Sequence, residues 1–517
     1  MSTANQFDTD VAIIGYGPTG VSAAVCLGQY GLRAIAFERE KDIYPRARAV
    51  TVNDWTMRCF QSVGLDQELA RGMDRTAALR WVTYDGQELM RMEFPPSSLG
   101  EHPRSYAIYQ PVMEQTLRRG VERHKDTISV RYGAEVIGIE QDEHGVTVRS
   151  LDLQTGEESS IRARYALACD GGSSPTRERL GIKLIGETVE TRWVVIDARV
   201  KRWWPDRHIL TFWSDKKRPV VDIALALGNH RWEFPLEDDE SESDFATKEQ
   251  QWKLLNSLGV TENEVEIHQH AFYRHHVRHA ERWRADRVFL LGDAAHLMPP
   301  WAGAGMQSGI RDAFNLCWKL REVLNGRLPD SVLDSYETER APNVALMTGI
   351  AVQMGRIIKQ QLSEGEIAAL APPSDGPPPE PPILLPPVLE AGWLRGPAGC
   401  DSIVGKMAPQ PRIADACGKL CQLDELLGQG FVLLGDGLNP ASLLSPQEKA
   451  EWDALGARYV AVYEPKQRGR SSSDIIDLQG TLLAWLRSHN VRAVALRPDR
   501  FVAASDQGGL AVPACTQ

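Results

Sequence analysis

The chain is poor in the features that mark specialised classes. Only 8 of its 517 residues are cysteine. They are scattered from Cys26 to Cys515 without a CxxC pair, and Cys417 and Cys421 lack matching ligands at zinc-site spacing. A disulfide framework, a zinc ribbon and a CxxC redox centre are therefore not indicated, and reduced, mostly buried thiols are expected. There is no cationic excess: 58 Lys and Arg against 69 Asp and Glu leave a net charge of −11. That balance argues against general nucleic-acid binding and against docking on anionic membranes. No apolar run approaches the length of a membrane span. The opening MSTANQFDTD is too polar for a secretory leader, so a cytoplasmic enzyme is expected. No nucleophilic triad or paired-carboxylate signature stands out. What remains is ordinary globular material, 43% hydrophobic and 25% charged, and long enough for two or three domains.

One glycine fingerprint is present, and only one. DVAIIGYGPTG reads as a strand buried on both faces, followed by a turn with Gly15, Gly17 and Gly20 at GxGxxG spacing and then by an apolar helix. A second strand, RAIAFERE, ends at Glu38, where an acidic side chain can accept both ribose hydroxyls of an adenosine. In that context the motif points to a dinucleotide, with FAD and NAD both open. Arg46 and Arg48 precede a helix capped by Asn53 or Asp54, and arginines beside a pyrophosphate would pair with its oxygens. Gln110 opens another helix. A further strand runs into Asp170-Gly171-Gly172, a second strand-end acid without a second GxGxxG. One dinucleotide is thus bound permanently, and any other must visit.

The stretch that organises the chain is RVFLLGDAAHLMPPWAGAGMQSGIRDAFNLCWKL, Arg287 to Leu320. A short buried strand meets the turn Gly292-Asp293, so Asp293 sits where ligand-facing side chains sit in an open α/β sheet. Gly303 and Gly305 let backbone approach something flat, and a helix from Ser308 presents its N-terminus to an electron-rich atom. A flavin ring is the expected flat group.

Between these landmarks, Trp193 to Phe272 is β-rich, with Gly228-Asn229 turning one strand back into the next. Val221, Ile223 and Leu225 share one face by period two, and Trp232 and Phe234 share a face of the neighbouring strand; both sets read first as ordinary core, and some of these residues are candidates for a flat apolar pocket. His268, His270, His275, His276 and His279 cluster without an acidic or cysteine partner at suitable local spacing, so they read as surface or pocket histidines and no metal is expected. PPSDGPPPEPPILLPP forms neither helix nor central strand and marks a linker. The remainder reads as a small α/β unit. The expected division is 1–190 with 275–370 for the dinucleotide, the hairpin LRWVTY–ELMRMEF being free to join 191–274, a β-rich substrate unit; then a linker at 371–399 and a C-terminal unit at 400–517.

Taken together, GYGPTG with Glu38, CDGGSSPTR and GDAAHLMPPWAGAGMQSGIRDAFNLCWKL resemble the single-component FAD-dependent aromatic hydroxylases, in the branch of phenol hydroxylase and 3-(3-hydroxyphenyl)propionate hydroxylase. The likeness spans nearly the whole chain. It implies an α/β fold: a Rossmann-like FAD-binding domain, an inserted β-rich substrate domain, and a thioredoxin-like C-terminal domain lacking CxxC. It implies FAD as resident cofactor, NADH or NADPH and O2 as co-substrates, and a small aromatic substrate, with a homodimer left open as the assembly. By resemblance Glu38 takes the ribose, Arg48 approaches the pyrophosphate, Gln110 lies along the ribityl chain, Asp170 belongs to a DG motif tied to both nucleotides, and Asp293 bonds ribityl hydroxyls. Pro300, Gly303, Ala304, Gly305 and Met306 would lie against the isoalloxazine. Ala304 stands where the family commonly has Gln or Gly, Gln307 where it has Asn, and Trp301 is bulkier than usual. These departures bear on the substrate rather than the flavin.

The implied chemistry is the cofactor's: NAD(P)H reduces the flavin, oxygen adds to give a C4a-hydroperoxide, and its distal oxygen passes to an electron-rich phenol. The protein must hold the ring, help remove the phenol proton and exclude water. Tyr273, His270 and Arg231 are the candidate phenol partners, and Val221, Ile223, Trp232, Phe234, Pro300 and Trp301 the candidate ring contacts. The rivals are decarboxylative or denitrating hydroxylation, attack on a larger polyketide-like ring, and a non-catalytic flavin sensor. A halogenase fits less well, since HRWEFP places His230 where its WxWxIP motif begins.

Overall fold

In a computed structural model the chain is described at residues 7–363, 365–366, 380–467 and 471–515. The apolar strand Thr9–Ile14 sits in the middle of a sheet that runs Arg284–Ala285, Val288–Leu290, Glu158–Ala168, Thr9–Ile14, Ala34–Glu38, Ile128–Tyr132. The last five strands are parallel neighbours. That explains why Val11, Ala12 and Ile13 are fully buried without alternation: helices or strands cover both faces. The hairpin Ala134–Gln141 and Val146–Asp152 extends the outer part of Glu158–Ala168 antiparallel. Helices Pro18–Gln29 and Gly305–Leu324 pack on each other against this sheet.

A second sheet is ordered His296–Leu297, Val265–Ala280, Leu184–Val200, Asn229–Pro235, Val220–Leu225, Leu210–Trp213, Ala78–Val82, Glu88–Glu93. The hairpin with Asp85-Gly86 at its turn therefore belongs here, paired in parallel to Leu210–Trp213. The long pair Leu184–Val200 and Val265–Ala280 carries the sheet past the expected edges at 191 and 274 and hands it to the segment at His296. The turn at 226–229 has Leu227 and Gly228 both at positive φ, which sets the register Leu225 opposite Asn229. The central helix starts at Gly305, three residues before Ser308.

The C-terminal sheet runs Leu420–Gln422, Arg412–Ala414, Ile475–Asp477, Arg458–Tyr463, Val432–Asp436, Ala493–Leu496, Val502–Ser505. Its helix Pro446–Ala454 carries the expected cap: Ser445 and Glu448 form a reciprocal box, with Pro446 at the first position. This unit is joined to the central helix through Trp318, Trp393, Phe431 and Trp452, whose rings meet edge to face or tilted. Beside them Glu339 accepts two bonds from Arg497 and one from Lys319, all three side chains fully buried. Of the expected linker, residues 371–379 lie outside the described ones. The part from 380 onward is a short turn at Pro382–Leu384 packed against the rest of the molecule.

Candidate active site

A cavity of about 700 Å³ runs between the first two sheets. At one end the three loop glycines divide their labour. A Cβ on Gly15, whose φ is +90°, would stand 2.5 Å from the Cys169 carbonyl oxygen, and one on Gly20 would stand 2.0 Å from the Gly15 carbonyl oxygen. These two close the turn against the neighbouring strand. A Cβ on Gly17 would meet nothing within 4 Å, and Gly17 faces the cavity. Gly17 also caps the helix Pro18–Gln29 without a side-chain bond, so backbone amides are left for a ligand. Glu38 ends its strand with Oε2 accepting from Tyr16 N at 2.8 Å and Oε1 from Glu40 N at 2.9 Å.

Gln110 is more specific than expected. Its Oε1 accepts from the amides of Arg48 and Ala49 at 2.9 and 2.7 Å, and so holds that segment on the cavity wall. Arg48 stacks its guanidinium over Tyr44. Asp170 turns inward: its carboxylate accepts from Ser174 Oγ and Thr176 N and secures the helix Pro175–Arg179, while its neighbours Cys169 and Gly171 line the cavity. Asp293 does face the cavity. Solvent reaches it through the opening, yet protein crowds it closely enough that desolvation raises its carboxyl above the usual range, against the pull of His296 and Arg48.

Further along, Gly292 and Gly303 take left-handed backbone, φ +59° and +58°, and a Cβ on either would strike the Oγ1 of Thr19 or Thr51. Pro300, Trp301 and Ala302 form a single 3-10 turn. Ala304 is buried at the N-cap of the central helix, which has no side-chain cap, so the amides at Gly305, Met306 and Gln307 begin the helix at the cavity. Gln307 is committed: its Oε1 accepts from Asn53 N, Thr56 Oγ1 and Arg311, and its amide donates to Gly303 O. It fixes the loop rather than reaching for a ring. Trp301 lines the cavity and lies edge-on to Trp193 and His275, over Gly355, where a Cβ would stand 2.0 Å from its ring.

The far wall is apolar. Val221 and Ile223 line it with Leu210, Phe212, Leu79 and Phe94. Trp232 and Phe234 do not; both are fully buried on the opposite face of the sheet, among Val194, Ile196 and Leu255. The tight turn is the reason. It pairs Val221 with Glu233 and Ile223 with Arg231, so the odd residues of Asn229–Pro235 share the face of Val221. A two-residue turn at Gly228-Asn229 would pair Ile223 with Phe234 instead; the three residues 226–228 that actually separate the strands reverse this, and Glu233 was missed for that reason.

Among the described residues, Glu233 is the carboxylate that the second sheet presents to the cavity. Its Oε2 accepts the Tyr273 hydroxyl at 2.6 Å, and its Oε1 lies 3.9 Å from Arg231. Burial raises its carboxyl above the usual range, with Arg231 and the Tyr273 hydrogen bond acting against that rise. The three expected phenol partners stand elsewhere. Tyr273 is behind Glu233, and burial beside that acid keeps its phenol protonated. Arg231 is paired through Nε and Nη2 with Asp197, at 2.7 and 2.9 Å, and also donates to the Ala47 carbonyl, stapling this sheet to the Arg48 segment. His270 is off the cavity, edge-on to Phe272.

The proline-rich segment supplies the last wall. Ile383, Leu384 and Leu385 line the cavity, held by buried Arg104, which donates to Leu384 O and Glu380 at 2.7 Å each and lies 3.4 Å from Asp54. Nothing in its composition signalled this.

A flavin dinucleotide fits what is here: an open approach at Gly17, uncapped helix starts at both ends, and Asp293 between them. Among the described residues no group of three or more His, Cys, Asp or Glu is placed to hold a metal. No described helix is long and apolar enough to cross a membrane.

Two family models match: an FAD binding domain over residues 8–350 and the HcaD C-terminal domain over 405–515. A 3-(3-hydroxy-phenyl)propionate/3-hydroxycinnamic acid hydroxylase of Burkholderia cenocepacia (strain HI2424) is 35% identical, over 99% of this chain and 96% of its own. The like-named protein of Klebsiella pneumoniae (strain 342) is 33% identical over 99% and 93%. Among solved structures, the flavin-dependent monooxygenase PieE with FAD and substrate superposes with a TM-score of 0.82 at 22% identity, covering 98% of each chain. Aklavinone-11 hydroxylase with FAD and aklavinone gives 0.80 at 23%, covering 99% and 97%.

Proposed function

The chain belongs to the family of FAD-dependent aromatic monooxygenases, and from that premise we propose that it hydroxylates a small phenol held between the apolar wall and the loop Pro300–Gly303, with Glu233 receiving the phenol hydroxyl. The observation that carries this reading is the carboxylate that the second sheet presents to the cavity, backed by a tyrosine that orients it. Bound FAD supplies the reaction's redox chemistry, taking electrons from NAD(P)H and activating O2 for insertion of one oxygen atom.

The residues of the chain do the rest. Gly17, Asp293 and the amides at Gly305 and Met306 hold the cofactor, with Glu38 and Arg48 at its nucleotide end. Val221, Ile223 and Phe212 press the substrate ring flat, and that apolar contact also keeps water away. Glu233 Oε1 accepts the phenol proton's hydrogen bond, which makes the ring more electron-rich at its ortho carbons. Tyr273, remaining protonated, occupies Oε2 of Glu233 and leaves Oε1 to accept from the phenol. Gln110 and Gln307 orient backbone and touch no reacting atom.

The relatives' names suggest a hydroxyphenyl acid as the first substrate to try. The eight cysteines are all free, which suits a reducing compartment, and we read the enzyme as cytoplasmic. The C-terminal unit, read as thioredoxin-like without CxxC, holds the central helix from behind. The test is a screen of 3-(3-hydroxyphenyl)propionate, 3-hydroxycinnamate and unsubstituted phenol for accelerated NAD(P)H oxidation by the FAD-loaded enzyme. A product heavier by one oxygen atom supports the reading. Tight FAD binding with no acceleration by any phenol would favour a sensor instead.

A further inference from the structure

Behind the central helix lies a second, small space, of about 50 Å³, between the FAD-binding part and the C-terminal unit. It is lined by four guanidinium groups, Arg58, Arg311, Arg340 and Arg500, and by only two carboxylates, Asp424 and Asp499. All four arginines are at most 5% exposed.

The charges do not balance. Asp424 is shared: Arg58 takes both of its oxygens, at 2.7 and 3.0 Å, and Arg500 Nε takes one at 3.1 Å. Asp499 is turned to Arg497 and the Trp318 indole N–H. Arg340 is matched by Asp312 outside the space. Arg311 enters no ion pair among the described residues. Its Nε and Nη2 bond only neutral oxygens, those of Thr56, Asn53 and Gln307, and its guanidinium lies over the Trp55 ring. Arg500 donates through Nη2 to the Gly428 carbonyl, while its buried Nη1 has no partner among the described residues. The thiol in the wall cannot make up the deficit, because burial pushes Cys59 up to about 12 and keeps it neutral.

Arg311 and the Nη1 of Arg500 are thus buried without a carboxylate in direct contact, and an unpaired buried charge is among the costliest things a protein can hold. The cost shows at Arg311, where burial and the neighbouring Arg340 draw its guanidinium down to about 9. We propose that this space is a binding site for one small inorganic anion of halide size, held between Arg311 and Arg500 Nη1 with Trp55 as its apolar side. The volume is that of a few water-sized bodies, which suits a small anion. Because Arg311 also lines the large cavity and bonds Gln307, the anion would tie the C-terminal unit to the loop that bears the flavin.

The test uses the FAD-loaded, full-length enzyme. Crystals grown in sodium bromide should give an anomalous peak inside this space. Thermal unfolding should rise by about 2 °C, saturably, when sodium chloride replaces sodium gluconate at constant ionic strength. The rise should vanish in Arg500→Met, which keeps the stem and loses the charge. A space without bromide signal, together with superimposable chloride and gluconate curves for the wild-type enzyme, overturns the proposal; these readouts need neither variant nor activity.

Discussion

The two ends of the main cavity are built by different means. The nucleotide end is made of backbone: glycines where a Cβ would collide, uncapped helix starts, and amides held in place by Glu38 and Gln110. The ring end is made of side chains whose direction depends on strand register and on a segment arriving from residue 380 onward. Backbone devices need particular residues at fixed spacing, so they leave a motif. Side-chain walls need only apolar bulk on the right face, and many sequences satisfy that.

The contrast is broken most severely at Gly20. Gly20→Ala places a methyl group against the Gly15 carbonyl oxygen, and flavin content after purification should fall at least tenfold. At the ring end, two substitutions that look alike in sequence should separate. Phe234→Ala empties the back of the sheet and should cost about 3 kcal/mol in denaturant unfolding while leaving substrate preference intact. Val221→Phe should leave stability nearly unchanged and raise the KM for a phenol tenfold or more, because that side chain faces the cavity. A shift of preference in Phe234→Ala without one in Val221→Phe would mean that the other face of the sheet looks into the cavity.

Smaller effects probe what holds the ring end together. Arg104→Met releases Leu384 from its latch, so the fraction of NAD(P)H oxidised without product should rise several-fold, read as hydrogen peroxide. His275 tests the Trp301 support. Burial first, then Lys359 and His276, draw this histidine down to about 3, so it stays neutral in the folded protein. Its unfolded form takes a proton near pH 6.5. The unfolded chain therefore binds more protons below that point, and stability present above about pH 6.5 is lost as pH falls toward 3. His275→Phe should flatten that part of the stability profile, measured by denaturant titration at several pH values.

How far the molecule was legible follows the same division. GxGxxG with Glu38, Asp293 after its buried strand, and Ser445-Pro446 with Glu448 were all readable, because each couples residue type to local geometry. Asp170 was readable as a strand-end acid, but not that its carboxylate would turn to Ser174. Trp232 and Phe234 were grouped with the pocket because period two gives which residues share a face without saying which face is inward; only the pairing of Val221 with Glu233 decides that. Of the proline run only the part from residue 380 is described, and its position there was not readable, since burial of Leu384 depends on Arg104, far away in sequence.

Glu233 is where the account is most exposed. The direct measurement is single-turnover product formation by Glu233→Gln, loaded with FAD to the same stoichiometry as the wild type and supplied with a phenol that the wild type hydroxylates. The amide keeps the size of the side chain and can still accept from Tyr273, but it no longer offers a carboxylate to the phenol. Hydroxylated product should form about 100-fold more slowly while flavin binding stays as it was. Product formation at the wild-type rate would contradict the assignment of the ring end.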